Sequence, residues 1–98
     1  MAYEIAGWWP AADEAMGRLE NDSGRSAVVD AVNRTLDRLE DDPFNPRLGT
    51  TDFRSEESGG VCATPARVGD WYVFWQSGPA KNTIEIVLIH ELPLGVAE

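Results

Sequence analysis

Two apolar stretches near the C-terminus decide the fold of this chain. Residues 71–75 read Trp-Tyr-Val-Phe-Trp, and residues 83–90 read Thr-Ile-Glu-Ile-Val-Leu-Ile-His. The first stretch is apolar on both faces of an extended strand, which is typical of the centre of a sheet. In the second, only Glu85 interrupts an apolar run, near its start. The pattern therefore predicts two strong strands, and Gly69-Asp70 predicts a tight turn before the first of them.

Weaker strand signals lie upstream of this pair. Residues 61–64 form a strand candidate that stops before Pro65, and a short strand is expected at 51–54 inside the loop 43–60. At the N-terminus, residues 2–6 alternate apolar and polar side chains. The strands late in the sequence are expected to form an antiparallel meander.

Two helices are predicted between the first strand and this meander. Pro10 suits a first helical turn, and the apolar residues from Ala12 to Leu19 recur at helical spacing. A turn at 21–24 separates them from a longer amphipathic helix, whose apolar face runs from Val28 to Leu39. That helix is expected to end at Asp42, because a residue before proline avoids the α region.

The predicted order of elements is β-α-α-β-β-β, which favours an α+β fold. Its length of 98 residues predicts one domain over 1–98. Both helices are expected on one face of the sheet, which leaves the opposite face free for a functional site.

Charge is the most informative part of the composition. Seventeen acidic and eight basic residues give a net charge of −9, and neither half of the chain is basic. General binding to a phosphate backbone requires a positive field, so a nucleic-acid role would have to rest on a local cluster of arginines. A basic partner protein fits this charge better.

Several classes of protein are excluded or disfavoured by simple counts. No apolar run approaches the length of a membrane span, and the chain opens without a signal-peptide pattern. We therefore expect a cytoplasmic protein that binds no membrane. The single cysteine, Cys62, rules out an internal disulfide and a cysteine-based zinc site. We expect no cofactor and no metal.

Five segments of the chain form an ordered set of motifs. They are residues 1–5 with 9–12, residues 39–43, residues 48–54, residues 67–75 and residues 83–90. In this order they resemble an opening strand and helix start, a helix-ending "L…DP", a loop of actinobacterial members, an "R-V-G-x-Y-R-V-x-Y" hairpin and a last strand. These are motifs of the RelE/ParE superfamily of bacterial type II toxins, and the resemblance covers nearly the whole chain.

The resemblance implies a specific chemistry. Ribonuclease members of the superfamily cut messenger RNA in the ribosomal A site by attack of a 2′-hydroxyl on the adjacent phosphate. Arginine and lysine side chains stabilise the charge that develops on the phosphoryl oxygens, and a tyrosine or histidine assists proton transfer. Another branch poisons DNA gyrase without this catalytic set.

This sequence departs from the ribonuclease pattern at the basic positions. The strand over 61–65 has no basic residue, Tyr72 replaces the arginine of "Y-R-V", and Glu91-Leu92 replaces the basic residue after the last strand. We therefore predict weak or absent cleavage of messenger RNA, and whether the chain is an enzyme stays open.

Four residues remain as candidate catalytic groups, each with a structural alternative. Arg67 could bind phosphate or pair with a carboxylate of Asp70 or Glu85. Arg54 could replace a catalytic cation or be a solvated loop residue. Tyr72 and His90 could transfer protons, or the tyrosine could pack in its strand and the histidine be exposed or structural.

Four tryptophans are candidate partner-binding residues. Trp8 and Trp9 could anchor a partner or clasp the first strand to the first helix. Trp71 and Trp75 share one face of their strand: they form an aromatic platform if that face is open, and core if it faces the helices.

Two classes of function follow from these observations. One is a toxin-like protein held by an antitoxin-like partner with a basic segment, with the ribosome or messenger RNA as a target only if the site is active. The other is a catalytically silent interaction module on the same fold.

Overall fold

The computed structural model describes residues 3–53 and 60–92, and it contains the predicted strands and helices. The elements are β1 (Glu4–Trp8), α1 (Pro10–Glu20), α2 (Ser26–Asp41), β2 (Thr51–Phe53), β3 (Val61–Pro65), β4 (Trp71–Ser77) and β5 (Thr83–Glu91). Short 3-10 turns at Ser23–Arg25 and Pro46–Leu48 precede α2 and β2. The described helices include none that is long and apolar enough to cross a membrane.

The five strands form one mixed sheet in the order β1-β5-β4-β3-β2. Strands β2 to β5 make the predicted antiparallel meander, and β4 is the central strand of the five-stranded sheet. β1 pairs with β5 in parallel. The connection between these parallel neighbours is long, since it runs through both helices and through strands β2 to β4. The α+β expectation is confirmed.

Local sequence signals set the start of α1 and the end of α2. Pro10 occupies the first turn of α1 and fixes its φ without loss of a helical hydrogen bond. The extended backbone at Asp42, with φ −161° and ψ 92°, ends α2 immediately before Pro43. The inward residues Ala12, Met16 and Leu19 of α1 are buried, as are Val28, Val32, Leu36 and Leu39 of α2.

Both helices cover the same face of the sheet and share one core with it. The sheet contributes Val73 and Trp75 from β4 and Ile84, Ile86 and Ile89 from β5, all at most 1% exposed. The face of β4 that carries Trp71, Val73 and Trp75 is therefore the helix-covered face. We call the opposite side of the sheet the outer face.

One extra residue in β5 changes which side chains enter the core. Phe74 pairs with Leu88 but Trp75 pairs with Ile86, so Val87 is inserted opposite the step between them. Because of this bulge, Ile86 and Ile89 both face the helices although they are three residues apart. Leu88, which strict alternation would bury, turns to the outer face.

Candidate functional site

The outer face brings two of the predicted catalytic residues together. Tyr72 is directly opposite His90 on β5 and opposite Pro65 on β3, so the three side chains form a row across three strands. Direct neighbours on one sheet face have Cβ atoms roughly 5 Å apart. His90 is exposed and Tyr72 is half-buried. A phenol and an imidazole thus lie side by side at the end of the sheet where β5 ends.

Within the part of the chain that the structure describes, Arg67 is bonded to neither Tyr72 nor His90. It follows β3, has a left-handed backbone with φ 68°, and donates from Nη2 to the carbonyl oxygen of Arg47 at 2.8 Å. Neither Asp70 nor Glu85 is its partner, so the carboxylate pairing expected from sequence is wrong. Arg67 connects the β3–β4 turn to the Pro46–Leu48 turn, which is a structural role. Arg54, the other candidate cation, lies outside the described residues.

Glu85 places a negative charge on the outer face. Its Oε1 accepts hydrogen bonds from Trp9 Nε1 at 3.3 Å and from Gln76 Nε2 at 3.2 Å. Glu85 pairs across the sheet with Gly7, which has no side chain. Both donors are neutral groups, so this cluster contains no cation beside Glu85.

The described strands of the sheet carry acidic side chains but no lysine or arginine. Acidic residues occur in three of them, and His90 is the one imidazole. The described outer face therefore offers proton-transfer groups without a cation on any strand.

The four tryptophans occupy different environments. Trp75 is 1% exposed and its Nε1 donates to Thr64 Oγ1 at 2.9 Å, so it is a core residue and its predicted partner-binding role is wrong. Trp8 is half-buried and packs against the core. Trp9 is 43% exposed.

Trp71 lies at the edge of the helix-covered face, in the wall of a groove of about 420 Å³ between α1 and β5. The guanidinium carbon of Arg25 is 5.7 Å from the centre of its ring, within range of a cation–π contact. His90 and Glu91 belong to the same wall of the groove.

Sequence reasoning missed two polar arrangements in the fold. It did not anticipate the Trp9–Glu85–Gln76 cluster, although Glu85 alone interrupts an apolar strand, which is a usable signal for a charged group on a sheet face. It also missed the buried chain in which Thr64 Oγ1 contacts both Trp75 Nε1 and Thr50 Oγ1, the latter at 2.7 Å. No local sequence signal identifies those threonines as partners.

Comparison with solved structures gives an informative likeness. No protein-family model matches the sequence, and no curated protein sequence matches it. A solved chain of the archaeal RelE–RelB complex from Pyrococcus horikoshii OT3 has the same fold, with a TM-score of 0.68. The likeness covers 93% of this chain and 96% of that one, at 15% sequence identity.

This chain has a RelE-like fold. The expected resemblance is thus confirmed at the level of architecture, in a chain whose sequence has diverged far from the solved structure. The RelE-like sheet carries the Tyr72–His90 pair on one side and the helical hairpin on the other.

Proposed function

We propose that this chain is a toxin-like protein of the bacterial toxin–antitoxin type, with a degenerate ribonuclease site and weak or absent cleavage of messenger RNA. The RelE-like fold supports the toxin-like assignment. The solved chain with this fold comes from a RelE–RelB complex. The outer face supports the degenerate site, because its strands have proton-transfer groups but no cation.

The observation that carries this proposal is that the described strands contain no lysine and no arginine. Cleavage by an adjacent 2′-hydroxyl builds negative charge on the phosphoryl oxygens, and preorganised cations must stabilise that charge. Loss of one preorganised donor costs roughly 10²–10³-fold in rate. Here Arg67 is engaged by the Arg47 carbonyl, and Glu85 adds a carboxylate to the same face. Tyr72 and His90 alone cannot neutralise the developing charge.

The partner we propose is an antitoxin-like protein with a basic segment. A net charge of −9 favours a cationic partner and disfavours close approach to RNA or the ribosome. Such a segment would fold on binding, as disordered partners do. We propose action in the cytoplasm, with no membrane involved.

A silent interaction module is the second candidate. It is favoured by the exposed Trp9 and by the groove beside Trp71, since both offer aromatic surface to a partner. This candidate has the same fold and partner chemistry and differs in having no effect on growth.

Induced expression in a bacterium separates the two candidates. The toxin-like function predicts growth arrest that a co-expressed basic partner relieves, and unimpeded growth at equal soluble expression supports the silent module. The control is Trp75→Ala, which removes a core residue and is expected to abolish any arrest through loss of the fold.

Cleavage of messenger RNA in a translating extract tests the degenerate site directly. The native chain is expected to cleave weakly or not at all, and any residual activity is expected to fall in His90→Ala and Arg67→Ala. Robust cleavage by the native chain that either substitution abolishes would contradict the proposal.

A gain-of-function pair sharpens the same test. Tyr72→Arg places a cation beside His90 on the outer face, and Tyr72→Gln is its uncharged control. We expect cleavage to rise only in Tyr72→Arg, by up to about 10²-fold, because one restored donor supplies part of the missing stabilisation. Equal activity in both variants would show that the missing charge is not the defect.

A further inference from the structure

A cavity of about 400 Å³ lies between α1, α2 and the C-terminal end of β1. Residues of these three elements line it: Trp8, Asp13, Met16, Gly17, Glu20 and Asn33. The lining residues of α1 are at positions i, i+3, i+4 and i+7, so one face of that helix forms most of the wall. The cavity shares no residue with the groove beside Trp71 or with the Tyr72–His90 pair.

The inner wall of the cavity is apolar and partly aromatic. Met16 is 7% exposed, and the half-buried Trp8 packs against the core. Gly17 leaves a gap beside them, because a Cβ atom at this position would have no neighbouring group within 4 Å. A larger side chain would occupy this gap, so the glycine keeps the inner wall accessible.

The rim of the cavity is acidic. Asp13 and Glu20 are exposed, and neither carboxylate forms an ion pair with a described residue. Arg18, the one arginine of α1, lies 3.5 Å from Glu14 and lines the groove beside Trp71 instead. No lysine or arginine is among the described residues that line the cavity. Two negative charges and an indole ring thus face the same space, and both kinds of group attract a cation.

The spacing of the two carboxylates determines the shape of the cation. Asp13 and Glu20 are two helical turns apart on one face of α1, which separates their backbone positions by about 10 Å. A ligand with one charged group reaches only one of them. A linear chain with an ammonium group at each end reaches both, and its methylene groups then lie along the apolar wall. The side-chain oxygen of Asn33 is a further acceptor for an ammonium group.

We propose that this cavity binds a linear aliphatic diamine or polyamine. One terminal ammonium pairs with Asp13 and the other with Glu20, while the alkyl chain crosses the gap at Gly17 and contacts the Trp8 ring. Such amines are charged at neutral pH, as the lysine side chain is. The inference goes beyond the proposed function, because it requires neither a protein partner nor RNA.

Isothermal titration calorimetry at low ionic strength, with three amines, tests the spacing. Heptamethylenediamine has two ammonium groups about 10 Å apart, n-heptylamine has one on the same chain, and ethylenediamine has two that are too close to reach both carboxylates. Heptamethylenediamine should bind about fivefold more tightly than the other two, because a second exposed ion pair contributes at most that much. Its methylene proton signals should move upfield in NMR spectra, since they lie over the indole ring of Trp8.

Removal of one carboxylate should affect the diamine and not the monoamine. Glu20→Gln takes away the partner of one ammonium, so heptamethylenediamine should bind about fivefold more weakly and match n-heptylamine. The affinity of n-heptylamine should change by less than about twofold, because Asp13 still accepts its ammonium. Glu14→Gln is the matched control on the same helix: Glu14 lines the other groove, so both amines should stay within about twofold.

Gly17→Leu tests the cavity itself. Leucine fills the gap from α1 and has a higher helix propensity than glycine, so the variant should fold, which circular dichroism checks. Both heptyl amines should bind about tenfold more weakly, because the alkyl chain loses its apolar contact. Ala27→Leu places the same side chain on the exposed surface of α2 and should leave binding within about twofold.

Three results would overturn the inference. They are equal affinities of n-heptylamine and heptamethylenediamine, unchanged diamine binding in Gly17→Leu, and diamine-induced amide shifts confined to residues outside the cavity. The first would mean that a single ammonium associates with the acidic surface and that the carboxylate spacing has no role. The titrations are independent of growth and of RNA cleavage, so failure of this inference and failure of the proposed function are distinguishable.

Discussion

Alternate residues of the same strands form the two faces of this sheet, and the two faces differ in burial and in chemistry. On the helix-covered face, Val73 and Trp75 are at most 1% exposed and pack against both helices. On the outer face, Tyr72 is half-buried next to the exposed His90. The first face supplies the free energy of folding, since burial of apolar area scales with stability. The second is free to change its chemistry, and its strands carry no cation.

This division explains how a RelE-like fold persists at 15% identity to the solved archaeal chain. Core positions are constrained by volume and polarity, whereas an outer-face position such as Tyr72 can change its chemistry at little cost to packing. Substitutions on the two faces should therefore have different effects.

The largest effect is expected for Trp75→Ala. Removal of this indole leaves a large cavity and deprives Thr64 of its donor, so unfolding free energy should fall by about 3–5 kcal/mol. Chemical denaturation followed by circular dichroism measures the change. A loss below about 1 kcal/mol would mean that the helix-covered face is not the main source of stability.

Thr64→Val tests the buried hydroxyl chain of the same face. The substitution keeps the shape of the side chain but leaves the Trp75 indole N–H without its acceptor, which should cost about 1–3 kcal/mol. Thr50→Val is the matched control, because Thr50 is half-buried and its hydroxyl contacts Thr64, whereas the Trp75 indole donates to Thr64 itself. Equal losses in the two variants would show that the indole contributes nothing through this bond.

Comparison of Arg67→Ala with Arg67→Gly separates the hydrogen bond of the Arg67 side chain from the backbone strain at this position. Both remove the hydrogen bond to Arg47, but glycine tolerates φ 68° and alanine does not. Arg67→Ala should therefore be less stable than Arg67→Gly by about 1 kcal/mol. Thermal unfolding of the two proteins at equal concentration gives the difference, and the reverse order would contradict a left-handed backbone at this position.

The smallest effect is expected for His90→Ala on the outer face. The side chain is exposed, so the unfolding free energy should change by no more than about 0.5 kcal/mol. The same denaturation experiment measures it. A loss comparable with that of Trp75→Ala would remove the distinction between the two faces.

Much of the architecture could be predicted from local sequence because strong patterns mark it. The apolar runs at 71–75 and 83–90 identify β4 and β5, two of the three inner strands, and the helical spacing from Val28 to Leu39 identifies α2. The site was predicted less well. Tyr72 and His90 were candidates and are neighbours, but the contact of Arg67 with the Arg47 carbonyl depends on a turn twenty residues away.

Sequence by itself determined the order of the elements, their approximate ends and the acidic character of the chain, because periodicity, prolines and charge counts are local properties. Only the tertiary structure decided which face of β4 the helices cover, since Trp71, Val73 and Trp75 are as apolar as the side chains on the other face. It also decided the register shift that sends Ile89 inward and Leu88 outward. Strand pairing fixes such choices across the sheet, and no single strand encodes its neighbour's register.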